Sequence, residues 1–414
     1  MGSSFPAQSG IPGVRLVAKS KIDNVNYFEN LNLLGEDWGS AFVSPMNTLF
    51  GTGNSTFSKY PAWVTESGGM SGPAVAANGK LYTPGSTTQR PDVYDEATNA
   101  WSDAGLAYPD INHLLYCPET GSFDYEGNCY YYSNRVNIGD PPNAAFDFRK
   151  YSPAGNAWTA LASLPTTPTN LKCVGYAFMG TNSGYAYFMQ VFKNANASYV
   201  PSNFPTIYRY HFASNVWSDL AVVPPMIGSG VGSSSGYNMI VLRPNSMSCK
   251  YSSSKFLVNF KITKIDGFAR GAFHNNIFLF DTATNQFTRF CNFAPFIQSS
   301  GITSDSAYTQ FGDNRIFYQD GVLYMWSPLL RGLMAHVEAT GRQYHIPIAA
   351  SALLDPMLVF SNGKIYIWGG NLGASAVMTS STIYNSSGLI IDLVKLSAFL
   401  KSSKTIGIKM PVFA

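Results

Sequence analysis

Charge is scarce in this chain. Asp, Glu, Lys and Arg make up only 12% of its 414 residues, and the formal net charge is +3. A protein that grips nucleic acid neutralises phosphates with clustered Lys and Arg, and the only dense stretch here is the modest run from Lys395 to Lys409. Nucleic acid is therefore not an expected partner. Long apolar runs are missing as well. No stretch approaches the length of a membrane span, and the start lacks the apolar region of a secretory leader. Pro6 stands where a myristoylation signal needs Ser or Thr. A chain made in the cytoplasm, with no membrane insertion, is expected.

Cysteine is also sparse. Cys117, Cys129, Cys173, Cys249 and Cys291 are odd in number and form no CxxC pair, which argues against a zinc site and a complete disulfide framework. They are expected to be small core residues, with a Cys117–Cys129 bridge as the alternative. The five histidines, His113, His211, His274, His336 and His345, have no metal-ligand spacing. A nucleophile elbow is absent, because Gly228-Ser229-Gly230 lacks the required spacing. The Gly-rich stretch from Gly228 to Gly236 lacks the Lys-Ser/Thr ending of a phosphate loop. Acidic pairs such as Asp95-Glu96 fall inside turns. Neither metal nor cofactor is expected, and no catalytic residue is assigned.

What the chain has in quantity is Gly, Tyr, Ser and Asn, arranged in two alternating signals. The first is a tight turn ending in Gly, followed by a Tyr-rich strand, at Gly79, Gly127, Gly184, Gly236, Gly321 and Gly363. Asn-Gly and Asp-Gly adopt the positive φ angles of a two-residue hairpin. The second is a strand, a polar turn and an aromatic anchor: Trp101, Trp158, Trp217, Phe287 and Tyr344, with a worn sixth copy, IYNSSGLI, at Ile390. In the turn, Asp or Ser opens and Asn or Gly takes the left-handed position. The anchors recur every 46 to 70 residues. Each interval holds two hairpins, which make a four-stranded meander. Such a sheet cannot cover both faces alone, but radial stacking covers them all. The spacing predicts an all-β fold, a β-propeller of about six four-stranded blades, with the five aromatics as blade-packing anchors.

The units resemble Kelch-type propeller blades, whose pattern places a diglycine after the second strand and a Tyr and a Trp further on. The last unit carries the diglycine, Gly369-Gly370 in KIYIWGG, while the others keep the Tyr-rich strand and the anchor. The resemblance covers residues 66–400 and implies fold rather than activity. Kelch-like copper oxidases need a Cys-linked Tyr and two His ligands, and sialidase propellers carry SxDxGxTW boxes. This chain shows neither set.

Residues 1–65 fall outside the repeat and read as an N-terminal arm for attachment or ring closure, and 401–414 as a C-terminal strand or tail. Either a strand near Phe57–Val64 or one from Thr405 is expected to complete a blade. The fourth unit carries the largest insertion, Arg243 to Arg270, read as a hairpin over a blade edge. Tyr130, Tyr131, Tyr132, Lys250 and Lys255 are candidate surface contacts. A surface rich in Ser, Thr, Asn, Gly and Tyr, without an export signal, fits a structural or adhesive virion protein released by lysis. A phage tail or tail-fibre component, with other virion or assembly subunits and a host-surface glycan as partners, is the leading expectation. The alternatives are a carbohydrate-binding or carbohydrate-active propeller and a cellular, cytoplasmic Kelch-type interaction module.

Overall fold

The computed structural model describes residues 14–16, 29–31, 42–46, 74–82, 92–103, 121–133, 147–165, 173–192, 206–222, 237–240, 248–265, 273–296, 315–327, 332–347, 357–368 and 388–402. They form six sheets, antiparallel except where Glu29–Leu31 joins Arg342–Pro347, arranged as a closed β-propeller. Ahead of the repeat come β1 (Val14–Leu16), β2 (Glu29–Leu31) and β3 (Val43–Met46). Blade one is β4 (Val75–Ala77), β5 (Lys80–Tyr82), β6 (Asp92–Asp95) and β7 (Ala100–Asp103). Blade two is β8 (Gly121–Tyr125), β9 (Asn128–Ser133), β10 (Asp147–Ser152) and β11 (Ala157–Ala160). Blade three is β12 (Cys173–Asn182), β13 (Tyr185–Phe192), β14 (Ile207–His211) and β15 (Val216–Asp219). Each is a simple meander.

Blade four departs from that plan. Its first strand is split into β16 (Tyr237–Ile240) and β17 (Ser248–Lys250), both paired with β18 (Lys255–Ile265), which continues to β19 (Phe273–Asp281) and β20 (Gln286–Phe296). The described part of the segment from Arg243 to Arg270, expected to be an added hairpin, is residues 248–265, and these supply β17 and the second strand of the blade itself. Its turn, Tyr251 to Ser254, contains no Gly, so the hairpin signal was invisible there. Tyr237 was expected to follow a tight turn at Gly236. It opens β16, which pairs with the far end of β18, and Gly236 lies outside the described residues.

Blade five is β21 (Ile316–Gln319), β22 (Val322–Ser327), β23 (Gly332–Val337) and β24 (Arg342–Pro347), with β2 and then β1 added beyond β24. Blade six is β25 (Met357–Ser361), β26 (Lys364–Trp368) and β27 (Gly388–Asp392), whose fourth place is filled by β3. The ring is thus closed by Val43–Met46. The strands expected near Phe57 and after Thr405 lie outside the described residues. The worn sixth repeat is corrected too. Ile390 sits inside β27, and the chain then enters helix α1 (Leu393–Ser402) instead of a polar turn.

Five tight turns have the dihedrals the Gly signals demand. Asn78-Gly79, Glu126-Gly127, Ser183-Gly184, Asp320-Gly321 and Asn362-Gly363 all have φ between 45° and 80° at both positions, which matches the twist of the flanking strands. First strands of neighbouring blades touch one another (β4 with β8, β8 with β12, β12 with β17, β17 with β21, β25 with β4). They therefore line the axis, and the fourth strands form the rim.

A separate apolar core fills each gap between blades. Val75 and Val93 meet Cys129 and Tyr131 between blades one and two. Phe123 and Phe148 meet Phe188 and Tyr210 between two and three, and Met179 and Tyr187 meet Phe256 and Phe280 between three and four. Leu257 and Ile277 meet Leu323 and Met325 at the next junction. Tyr324 and Val337 meet Ile365 and Ile391 between five and six, where Leu393, Leu396 and Leu400 of α1 complete the core. Val359 and Tyr366 meet Leu81 and Tyr94 across the closing seam. Each buried large apolar side chain contributes about 1.5–3 kcal/mol, so the six cores carry the stability of the ring.

Some close approaches admit only Gly. A Cβ on Gly121 would collide with the ring of Tyr132, whose hydroxyl accepts the Phe178 N–H at 3.1 Å and so ties blade two to blade three. Gly79 is different, with open space around it but a φ of +72°. Gly121→Ala is expected to destabilise by about 1–3 kcal/mol through overpacking, and Gly79→Ala by about 1 kcal/mol through backbone strain. Chemical denaturation checks the order: Gly121→Ala should be the less stable of the two.

Candidate functional site at the junction of blades four and five

The repeat places one aromatic pair across the third and fourth strands of successive blades. Tyr94 pairs with Trp101, Tyr151 with Trp158, Tyr210 with Trp217 and Phe280 with Phe287. Ring centroids are 5.3, 5.0, 5.1 and 4.7 Å apart. In the first three blades the Tyr hydroxyl donates to the Asn side chain five residues on, at 2.7, 3.0 and 2.7 Å. That Asn has φ of 51°, 45° and 55°, so the hydrogen bond holds the left-handed turn residue from inside the core. A Tyr-x4-Asn-x-Trp spacing in the sequence carries this signal, which the anchor pattern alone does not capture.

Trp101, Trp158, Trp217 and Phe287 are half-buried beside the cores, and the Trp217 indole also donates to the Ala162 carbonyl at 2.9 Å. Tyr344 is fully buried but sits one residue out of phase. The register partner of His336 is Gln343, whereas Tyr344 pairs with Ala335 and points to the opposite face, into the core shared with blade six. Blade five therefore replaces the aromatic pair with His336 and Gln343, whose Nδ1 and Nε2 are 3.5 Å apart.

This exchange coincides with an unusual cluster. On the turn face, Tyr251 of blade four and Tyr318 of β21 both donate to Glu338, at 2.8 Å to Oε1 and 2.6 Å to Oε2. The two tyrosine rings lie 4.8 Å apart. Phe290 stands edge-on to Tyr251 at 5.7 Å and to His336 at 6.1 Å. Burial pushes the His336 pKa down to about 4, partly opposed by the Glu338 charge. It raises the Tyr318 phenol, an effect reinforced by its bond to Glu338. Burial also holds the free thiols Cys249 and Cys291 well above their usual range. Protonated thiols and phenols around a neutral imidazole can donate to and orient a carboxylate, but they offer no activated nucleophile. Among the described residues no group of three or more His, Cys, Asp or Glu is placed to hold a metal ion.

The other candidate contacts separate. Tyr130, Tyr131 and Tyr132 are 5%, 1% and 0% exposed. They are corrected from surface residues to core residues, because β9 is the second strand of its blade and is covered on both faces. Lys255 faces Asp281 across β18 and β19 at 3.3 Å, as Lys80 faces Asp95 in blade one at 3.4 Å. This ion pair is part of the repeat. Asp95 and Asp281 also accept turn N–H groups from Ala97 and Ala283, and those bonds come first in lowering both carboxyl pKa values. Lys250 is exposed at the end of β17, next to Tyr251.

These features define a six-bladed β-propeller with a cluster of tyrosine, carboxylate and imidazole groups at the junction of blades four and five. No family model and no curated protein matches the chain.

The junction has a stated pH response. Because the folded His336 pKa lies below the ordinary 6.5, the unfolded chain binds the proton more tightly. The His336 contribution to stability should be intact above pH 6.5, fall as pH drops toward 4 and level off below that, amounting to at most about 3 kcal/mol. Urea titrations across this window should show His336→Gln losing less stability with acidification than the parent chain.

Proposed function

We propose that the chain is a structural or adhesive protein of a virion, a component of a phage tail or tail fibre, in which the ring is a rigid mount for assembly and host-surface recognition. One observation supports this reading above the others: the two faces of the ring are treated in opposite ways. On one face the strand ends join through two- and four-residue turns that are stitched between blades. Asn78 donates to the Gly127 carbonyl at 3.0 Å, Asn182 to Thr282 at 2.7 Å and Asn362 to Glu96 at 2.9 Å. From the other face leave the long links between the second and third strands and between blades, among them 134–146, 193–206, 297–315 and 369–387. Long connections on a rigid scaffold are where recognition sits. Towards that face the strands of blade four lengthen, with β18 and β20 each 11 residues against three or four in blade one.

The carboxylates of the turn face serve the scaffold: Glu96, Glu338, Asp95 and Asp281 each bind a turn or a neighbouring blade. This favours a scaffold over a catalytic ring. The burial of Tyr130, Tyr131 and Tyr132 removes one ground for a sugar-stacking platform. On this reading the blades are Kelch-like, with Gly369-Gly370 as the retained diglycine.

Mass spectrometry and particle reconstruction of purified virions test the proposal. The chain should be found as a stoichiometric component. Replacing 193–206 or 369–387 by short Gly-Ser linkers should leave the melting temperature within a few degrees while reducing adsorption to host cells at least tenfold. Absence from purified particles, or turnover of a glycan by the isolated chain, would overturn it.

A further inference from the structure

We propose that the fourth-strand place of blade six is an exchangeable acceptor, and that in assemblies of this chain it takes Val43–Met46 from a second copy. This goes beyond the placement of the ring in a virion and does not depend on it. Blades one, two, three and five join their third and fourth strands by a four-residue turn, and blade four does the same between β19 and β20. In blade six, β27 runs on into α1, so no local chain connects β27 to its rim partner. The partner is drawn from the opposite end of the sequence.

What holds β3 is defined wholly by the acceptor. Four register pairs join Val43, Ser44, Pro45 and Met46 to Ile391, Ile390, Leu389 and Gly388. A Cβ on Gly388 would come 2.9 Å from that of Met46, so Gly388 is the notch that seats Met46. Phe42 lies against Phe399 of α1 with ring centroids 5.6 Å apart. Ser44 and Pro45 are exposed. Any copy can supply the same four residues with every contact preserved, which is the condition for strand exchange.

The tether also allows it. Residues 47–74 link β3 to β4, a longer connection than the fourth-to-first links 104–120, 161–172, 220–236, 297–315 and 348–356. Fully extended, such a tether reaches on the order of 90 Å, far more than the step from the rim of one blade to the axis of the next requires. The same N-terminal segment already behaves as a strand donor, because β2 adds in parallel to β24 on the rim of blade five. Residues 14–46 would therefore travel together onto two adjacent blades of the neighbour.

Cysteine pairing at one register position decides the matter. Ser44 and Ile390 are direct partners. A chain carrying Ser44→Cys is refolded at high concentration with a chain carrying Ile390→Cys, then oxidised and resolved on a non-reducing gel, with the double variant and the parent chain as controls. The expected result is a disulfide-linked dimer containing one of each variant, at a yield that rises with protein concentration. Closure of the double variant within itself at every concentration, together with no dimer in the mixture, would overturn the proposal. No disulfide in either sample would remove the strand pairing itself, and the proposal with it.

Discussion

A four-stranded sheet with two apolar faces has no stable solitary form, and everything else in this molecule follows from the need to cover both faces of six such sheets. Stacking them in a line would leave two end faces wet. Bending the stack into a ring makes each face the cover of the next. The result is six junctions of similar design, and the sixth, between Tyr366 and Tyr94 with ring centroids 5.7 Å apart, is the one that no local stretch of chain can enforce. The closing seam is accordingly reinforced in two other ways. Glu96 of blade one accepts from Ser361 and Asn362 of blade six, and β3 ties the start of the chain to the last blade.

Much of this was legible in the residues because turn chemistry is local. Positive φ at two consecutive positions strongly favours Asn-Gly or Asp-Gly, so the hairpins announce themselves, and the Trp or Phe after each second turn marks the register. What stayed hidden has equally physical reasons. The turn from Tyr251 to Ser254 is longer than two residues and can be built without Gly, so blade four looked like an insertion. Tyr130, Tyr131 and Tyr132 carry hydroxyls and look like surface residues. Their ring area outweighs one polar atom each, and Tyr132 meets that demand inside the core through the Phe178 N–H. Pairing between β3 and β27 spans nearly the whole chain, and four residues hold too little pattern to announce it.

The junction of blades four and five could be found only by setting the blades in register. Spacing from the preceding aromatic suggests that Tyr344 is the fifth anchor, yet the turn Glu338 to Gly341 puts Gln343 in that place. An aromatic pair packs without regard to pH. A His-Gln pair covered by Phe290 and flanked by two tyrosines on one carboxylate does not. Every junction has an apolar core, and at that of blades four and five a His-Gln pair stands where the first four blades carry an aromatic pair.

That inequality bears on how the ring would yield under load or acid. A closed ring opens at the junction whose free energy is lowest, because opening any one junction relieves the curvature of the rest. The closing seam has lateral reinforcement from β3 and Glu96, and the neighbouring junction of blades five and six is plugged by α1, where Ser397 bonds both Tyr324 and the Gln319 carbonyl. The junction of blades four and five has no such plug among the described residues, and its His336 is held neutral only by burial. Acid therefore acts on the junction next to the one plugged by α1, two blades from the closing seam, so that a loss of closure would begin away from the seam that brings the two ends of the chain together.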